Sequence, residues 1–293
     1  MSSIETLGVV GSGQMGSGIA QVAAAQGLRV VMTDVSEPQL QKAIAAIASS
    51  CDRFIKKNAM TEAQKKRLLE RIEVQAQPSI SQKASILQKA DLIVEAASEN
   101  VVLKEKIFRE LDEVARPGVI LATNTSSISI TRMAAATRRP KLVAGMHFMN
   151  PVPLMVLVEG IRGLQTADET FAVVRQLAER LGKTFVESAK DMPGFVVNRI
   201  LMPMINEAVY TFHEGVASVE AIDQAMKLGT NQPMGPLALA DFIGLDTCLA
   251  IMGVLHEGLG DSKYRPCPLL MKYVEAGWLG KKSGRGFYQY GQG

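Results

Sequence analysis

The residues with the plainest chemical meaning are three glycines and an aspartate near the start of a 293-residue chain. Gly11, Gly13 and Gly16 form a G-x-G-x-x-G directly after an apolar run at 7–10, and an Ala-rich segment at 19–26 follows. Gly27 closes that segment before a second apolar run at 29–33, which ends at Asp34. Strand, tight turn, helix and strand are the setting in which this motif binds a dinucleotide. Gly11 permits the turn, Gly13 lets the backbone approach a pyrophosphate, and Gly16 lets helix and strand pack closely. The N–H groups at the helix start, with their partial positive charge, suit the phosphates. Asp34 stands where a carboxylate accepts from a ribose 2′-hydroxyl and repels a 2′-phosphate, so NAD(H) is expected over NADP(H).

A second set of residues suits proton transfer. Of the three histidines, His213 and His256 lie within helical patterns, whereas His147 ends an apolar run just before Phe148-Met149-Asn150-Pro151. Passing hydride from an alcohol to NAD also requires removal of the hydroxyl proton, and imidazole is the side chain whose charge changes near neutrality. Glu159 follows the next predicted strand, at 154–158, so the two side chains are expected to meet at one edge of the sheet. A carboxylate on the far imidazole nitrogen fixes the tautomer and balances the imidazolium. Placement alone leaves a satisfied structural histidine as the other reading. Rival chemistries lack their motifs: the chain has no G-x-S-x-G and no H-E-x-x-H. Gly182-Lys183-Thr184 copies the end of a phosphate-binding loop, but Leu177 stands where its first glycine belongs and the segment leaves a helix.

These residues need a sheet to carry them. Further strands are predicted at 72–74, 91–95, 119–123, 141–147 and 184–187, with helices starting at Pro38 behind a Ser36 cap and spanning 100–114 and 168–181. Polar residues gather at the strand ends, at 95–100, 124–127 and 147–150, where open α/β sheets bind ligands. Arg53, Lys56, Lys57, Lys65, Lys66 and Arg67 form a basic cluster, readable as a solvated face or as an anion site. Beyond Asp191-Met192-Pro193-Gly194 the pattern turns helical, at 195–214, 218–227, 235–243, 246–258 and 267–277. The reading is α/β: an N-terminal Rossmann-type doubly wound domain at 1–190, followed by an all-helical C-terminal domain at 191–293.

Composition narrows the partners. The net charge of +3 gives no reason to expect nucleic acid or a membrane surface, and no run of about 18 apolar residues suggests a spanning helix. Cys51, Cys248 and Cys267 are scattered, with no C-x-x-C. They imply neither a disulfide framework nor a metal site, and with no leader pattern at the start the cytoplasm is the expected location.

Taken together, GVVGSGQMGSGIAQVAA, VEAASEN, TNTSS, HFMNPVPLMVLVE, PGFVVNR, MKLGTNQPMGPLALADFIGLDT and GKKSGRGFY resemble the (S)-3-hydroxyacyl-CoA dehydrogenases, nearest the short-chain 3-hydroxybutyryl-CoA type. The resemblance runs from residue 4 to Tyr290. It implies reversible oxidation of a 3-hydroxyacyl-CoA to the 3-ketoacyl-CoA, with the active site in a cleft between the domains and a homodimer formed through the C-terminal one. It implies that His147 is the general base, that Glu159 orients it, that Ser126 bonds the substrate 3-oxygen and that Asn198 contacts the substrate carbonyl. For the cofactor it points to Gly11, Gly13, Gln14, Met15 and Gly16, and to Asp34, Glu99, Lys104, Asn150 and Lys282. For coenzyme A it points to Ser50 and Lys57, which would give the basic cluster an acceptor. Met149 departs from the pattern by replacing a second phenylalanine. Two other readings share the glycine loop: an NAD-dependent dehydrogenase of a CoA-free 3-hydroxy or sugar acid, and a non-catalytic NAD-binding dimer.

Overall fold

The computed structural model describes residues 4–80 and 85–291. The chain divides into two compact units, Met1–Met192 and Pro193–Gly293. Among the described residues the first unit holds an eight-stranded sheet. Its strands are β1 (Thr6–Val10), β2 (Arg29–Asp34), β3 (Ile72–Ala76), β4 (Leu92–Glu95), β5 (Ile120–Thr123), β6 (Val143–Phe148), β7 (Leu157–Ile161) and β8 (Thr184–Ser188). They lie in the order β3-β2-β1-β4-β5-β6-β7-β8, and neighbours run parallel except β6 and β7, which are antiparallel. The order reverses at β1, so the crevice outside the carboxyl ends of β1 and β4 is the natural ligand position of this sheet. Every residue of β1, β4 and β5 is buried, as expected of parallel strands covered on both faces.

The helices cover the sheet by burying one stripe each. Along α2 (Glu37–Lys56), Leu40, Ala43, Ile47 and Cys51 are buried at helical spacing, and the Ser36 hydroxyl caps the start by accepting from Gln39 N. In α1 (Gln14–Ala25) burial extends from Gly16 to Ala24, which the small side chains permit. Gly11 adopts φ +94°, the left-handed region that favours glycine, and its N–H donates to Thr33 O at 2.8 Å. A Cβ on Gly16 would lie 1.9 Å from Gly11 O, so the turn closes only without one.

Three features depart from the sequence reading. Helix α3 (Glu62–Glu70) was not expected, although Thr61 and Gln64 form a reciprocal capping box that the sequence displays as T-x-x-Q. A short helix, α5 (Ile130–Ala135), follows the 124–127 loop. The strand placed at 154–158 instead begins at Leu157, because residues 151–155 form a turn in which Leu154 N and Met155 N both donate to Pro151 O at 3.0 Å. The remaining helices of this unit, α4 (Val101–Val114) and α6 (Asp168–Arg180), lie within the predicted spans.

The second unit is helical: α7 (Val197–His213), α8 (Val219–Gly229), α9 (Pro236–Ile243), α10 (Leu245–Leu259) and α11 (Pro268–Glu275). Met202, Ile205, Val209, Leu237, Leu245, Met252, Leu255 and Leu270 form its core. Buried Asp241 ties the chain end to α9, accepting from Phe287 N, Tyr288 N and the Tyr290 hydroxyl at 2.9–3.0 Å. Among the described residues no single helix is long and apolar enough to cross a membrane.

The close approach at Gly16 gives a direct test. Forcing a methyl group against a backbone carbonyl costs about 1–3 kcal/mol in a packed interior. Gly16→Ala is therefore expected to lower the urea unfolding midpoint and to weaken NADH in a fluorescence titration; an unchanged midpoint would mean that the turn relaxes freely.

Candidate active site

Strand direction sets the central pair. Because β7 runs antiparallel to β6, His147 and Glu159 are directly opposed in the ladder, and opposed residues present their side chains on the same face. Nδ1 of His147 lies 2.8 Å from Oε2 of Glu159, and the two side chains are 9% and 0% exposed. Glu159 is thus the middle residue of its strand and not its end, a correction that follows from the later start of β7. The carboxylate engages Nδ1 and so holds the ring in one orientation.

The loop at 124–127 leaves the neighbouring strand β5 and is organised by Glu99. Its Oε1 accepts from Thr125 Oγ1 at 2.6 Å, Ser126 N at 2.9 Å, Ser126 Oγ at 3.2 Å and Ser127 Oγ at 2.9 Å. Burial pushes the Glu99 carboxyl up, but the Lys104 ammonium and these donors outweigh it and hold the group below the usual carboxylate range. Asn124 joins this loop to the end of β6, its Oδ1 accepting from Phe148 N at 2.8 Å. Ser126 therefore sits in a loop fixed at both ends, beside the strand that carries His147.

Lys104, expected at the cofactor, is 1% exposed and bonded to Glu95 at 2.6 and 2.8 Å, with Glu99 at 3.5 Å. Glu95 also accepts from Ala97 N at 2.7 Å and Thr123 Oγ1 at 2.7 Å, so both of its oxygens are satisfied. A buried pair offsets its desolvation only when the remaining lone pairs are filled in this way. Glu95 was not singled out from the sequence. A carboxylate that ends an otherwise apolar strand, in LIVE, is the signal that called for a buried partner.

The residues present fit a dinucleotide. Nothing lies within 4 Å of the position a Cβ would take on Gly13, which leaves backbone approach open, and no side chain caps the start of α1. Asp34 Oδ2 accepts from Ser12 N and Ser12 Oγ, both at 2.8 Å, which anchors the carboxylate beside a cavity of about 330 Å³. Gly11, Gly13, Val35, Gln77 and Ile80 help line that cavity. Met15 packs against the sheet core.

A second cavity, of about 440 Å³, is lined by Ser50, Arg53, Lys57, Gln14, Asn150 and Leu154, among others. It brings the expected coenzyme A residues Ser50 and Lys57 together with Gln14 and Asn150, which were expected at the cofactor. The basic cluster divides: Arg53 and Lys57 line this cavity, while Lys65 is bonded to Asp52. Asn198 and Lys282 belong to the second unit. Asn198 is buried in the first turn of α7, and Lys282 Nζ reaches Asp246 at 2.6 Å.

Comparison with known proteins gives a consistent picture. Residues 6–192 match 3-hydroxyacyl-CoA dehydrogenase, NAD binding domain, and residues 194–290 match 3-hydroxyacyl-CoA dehydrogenase, C-terminal domain. The probable 3-hydroxybutyryl-CoA dehydrogenase of Bacillus subtilis is 58% identical over 287 residues, 98% of this chain and 98% of that protein. The 3-hydroxybutyryl-CoA dehydrogenase of Bradyrhizobium diazoefficiens is 57% identical over 287 residues, 98% of this chain and 96% of that one. The crystal structure of (S)-3-hydroxybutyryl-CoA dehydrogenase from Ralstonia eutropha is similar with a TM-score of 0.93 and 54% identity, covering 99% of this chain and 100% of that one.

The state of Glu99 makes a pH dependence testable. Because its folded pKa lies below the unfolded value of about 4.3, the stability it contributes is complete above that value and is lost as pH falls through the folded one. Urea midpoints of the wild type are expected to fall more between about pH 5 and pH 3 than those of Glu99→Gln, which has no group to titrate there. Equal falls would remove Glu99 as a contributor.

Proposed function

The chain belongs to the 3-hydroxyacyl-CoA dehydrogenase family, and we propose that it oxidises (S)-3-hydroxyacyl-CoA, foremost 3-hydroxybutyryl-CoA, reversibly to the 3-ketoacyl-CoA. The observation that carries the mechanism is the buried His147–Glu159 pair, 2.8 Å apart on opposed strands. His147 Nε2 takes the proton of the 3-hydroxyl, while Glu159 holds the ring by Nδ1 and balances the charge it acquires. NAD, when bound by the glycine turn, would supply the hydride acceptor for C3. The Ser126 hydroxyl positions the 3-oxygen and Asn198 the thioester carbonyl. Gly11, Gly13 and Gly16 hold the pyrophosphate with the start of α1, and Asp34 holds the adenosine ribose. Glu99 and Lys104 support the site from beneath the 124–127 loop. Ser50, Arg53 and Lys57 receive the phosphates of coenzyme A, with Lys282 and Asn150 assigned to the cofactor.

A homodimer through the second unit is part of this reading. Ile200, Leu228 and Phe242 of that unit are 68%, 76% and 56% exposed, apolar side chains that a second copy would cover. Three free, buried cysteines suit a reducing compartment, in line with a cytoplasmic enzyme of acyl-CoA metabolism.

The test is NADH oxidation with acetoacetyl-CoA, run beside NADPH and free acetoacetate. Turnover that needs both NADH and the CoA ester is expected; turnover of the free acid would favour a sugar-acid or hydroxy-acid dehydrogenase. His147→Gln is expected to lower kcat by about 10²–10⁴-fold, the range for a lost general base, with NADH affinity retained. Near wild-type turnover would remove His147 as the base.

A further inference from the structure

Lys183 has no place in the chemistry above, yet it is one of the more unusual groups in the first unit. It stands between α6 and β8, it is buried, and its Nζ donates to Val152 O at 2.6 Å and Met155 O at 2.8 Å. The next residue continues the attachment, Thr184 N donating to Val156 O at 2.7 Å. Burial alone pushes the Lys183 ammonium below the usual lysine range, and no neighbouring charge of either sign acts on it among the described residues. An ammonium taken out of water without a carboxylate is costly, so the carbonyls that receive it must be placed for the purpose.

They are placed by the turn at 151–155. Leu154 N and Met155 N close it on Pro151 O, and the carbonyls of Val152 and Met155 converge on Nζ. Without the ammonium, the carbonyl of buried Val152 and that of the more exposed Met155 would both lose this shared donor. Lys183 thus does for this turn what a bound cation does for a loop. The other side of the turn rests on α1, where a Cβ on Gly18 would lie 2.8 Å from Val152 Cβ. Val152, Pro153 and Leu154 form one wall of the 440 Å³ cavity whose lining includes Ser50, Arg53 and Lys57.

We propose that Lys183 is a positioning residue for the coenzyme A portion of the substrate: its ammonium fixes the 151–155 turn as the wall of that cavity. This rests on the assignment of the cavity to coenzyme A made above. The ammonium touches no reacting atom. Its loss loosens the wall and leaves the His147–Glu159 pair, held by its own ladder, in place.

The experiment compares Lys183→Met with the wild-type full-length chain on two thioesters, acetoacetyl-CoA and acetoacetyl-N-acetylcysteamine, the second too short to carry a nucleotide into the cavity. Loss of two hydrogen bonds from a charged donor is expected to raise KM for acetoacetyl-CoA about tenfold, with kcat near the wild-type value. The kcat/KM for the short thioester and the Kd of NADH, read by fluorescence, are expected to be unchanged. An unchanged KM for acetoacetyl-CoA would overturn the proposal, as would equal losses on both thioesters, the mark of a general structural defect. Should Lys183→Met not fold, Lys183→Gln, which keeps N–H donors without the charge, is read against the same outcomes. Wild-type enzyme that ignores acetoacetyl-CoA would sink the functional reading itself, whereas a silent Lys183 variant of an active enzyme would sink only this inference.

Discussion

The site depends on one reversal of strand direction. A histidine and a glutamate can share a buried bond across a sheet only if the register opposes them, since the side chains of each strand alternate between faces. Had β7 been displaced by one residue, Glu159 would point to the opposite face and leave His147 beside an apolar neighbour. The antiparallel pairing of β6 and β7, with His147 opposite Glu159, removes that freedom. Gly160 and Phe185 help hold it: a Cβ on Gly160 would lie 1.9 Å from the Phe185 ring, so β8 seats closely on β7 at the residue after the glutamate.

Beyond this pair, loops at the carboxyl ends of β1, β4 and β5 are arranged around fixed carboxylates. Glu95 is satisfied by Lys104, Ala97 N and Thr123, and Glu99 by the hydroxyls and N–H of the 124–127 loop. Asp34 is held by Ser12. Glu99 and Asp34 accept from groups a few residues past a strand end, and Glu95 from Ala97 N, from Thr123 at the end of β5 and from Lys104 in α4, so charge-assisted bonds help shape these loops. Loops built this way present donors and acceptors in set directions, which a hydride-transfer site requires of the groups that hold its reactants.

Much of this was legible in the chain, and the limits have physical reasons. The glycine motif and Asp34 are read locally, because a turn, a helix start and a strand end are properties of neighbouring residues. The α/β order and the helical second part follow from periodicity in the same way, and the family's motifs assigned roles to His147, Glu159, Ser126 and Asn198. The start of β7 was misread because apolar Leu154, Met155 and Val156 resemble a strand, while what bends them away is a lysine 28 to 31 residues further on in sequence. The partnership of Glu95 and Lys104 was hidden for the opposite reason. A lysine four residues into a helix reads as solvent-facing, and only the tertiary fold carries it to 1% exposure beneath the sheet ends.

Lys104 and Lys183, the two buried lysines among the described residues of the first unit, show how one residue type serves two ends. Lys104 is neutralised by Glu95 and further screened by Glu99, so it adds no net positive charge beneath the 124–127 loop. Among the described residues Lys183 meets backbone carbonyls and no carboxylate, beneath the turn that borders Arg53 and Lys57. Anionic partners are drawn toward uncompensated positive charge in a poorly solvated wall more strongly than toward the same charge in water. The paired lysine lies beneath the 124–127 loop, and the one that meets carbonyls lies beneath the turn that walls the 440 Å³ cavity. That difference follows from what each lysine meets, backbone carbonyls in a turn or a side-chain carboxylate at a strand end.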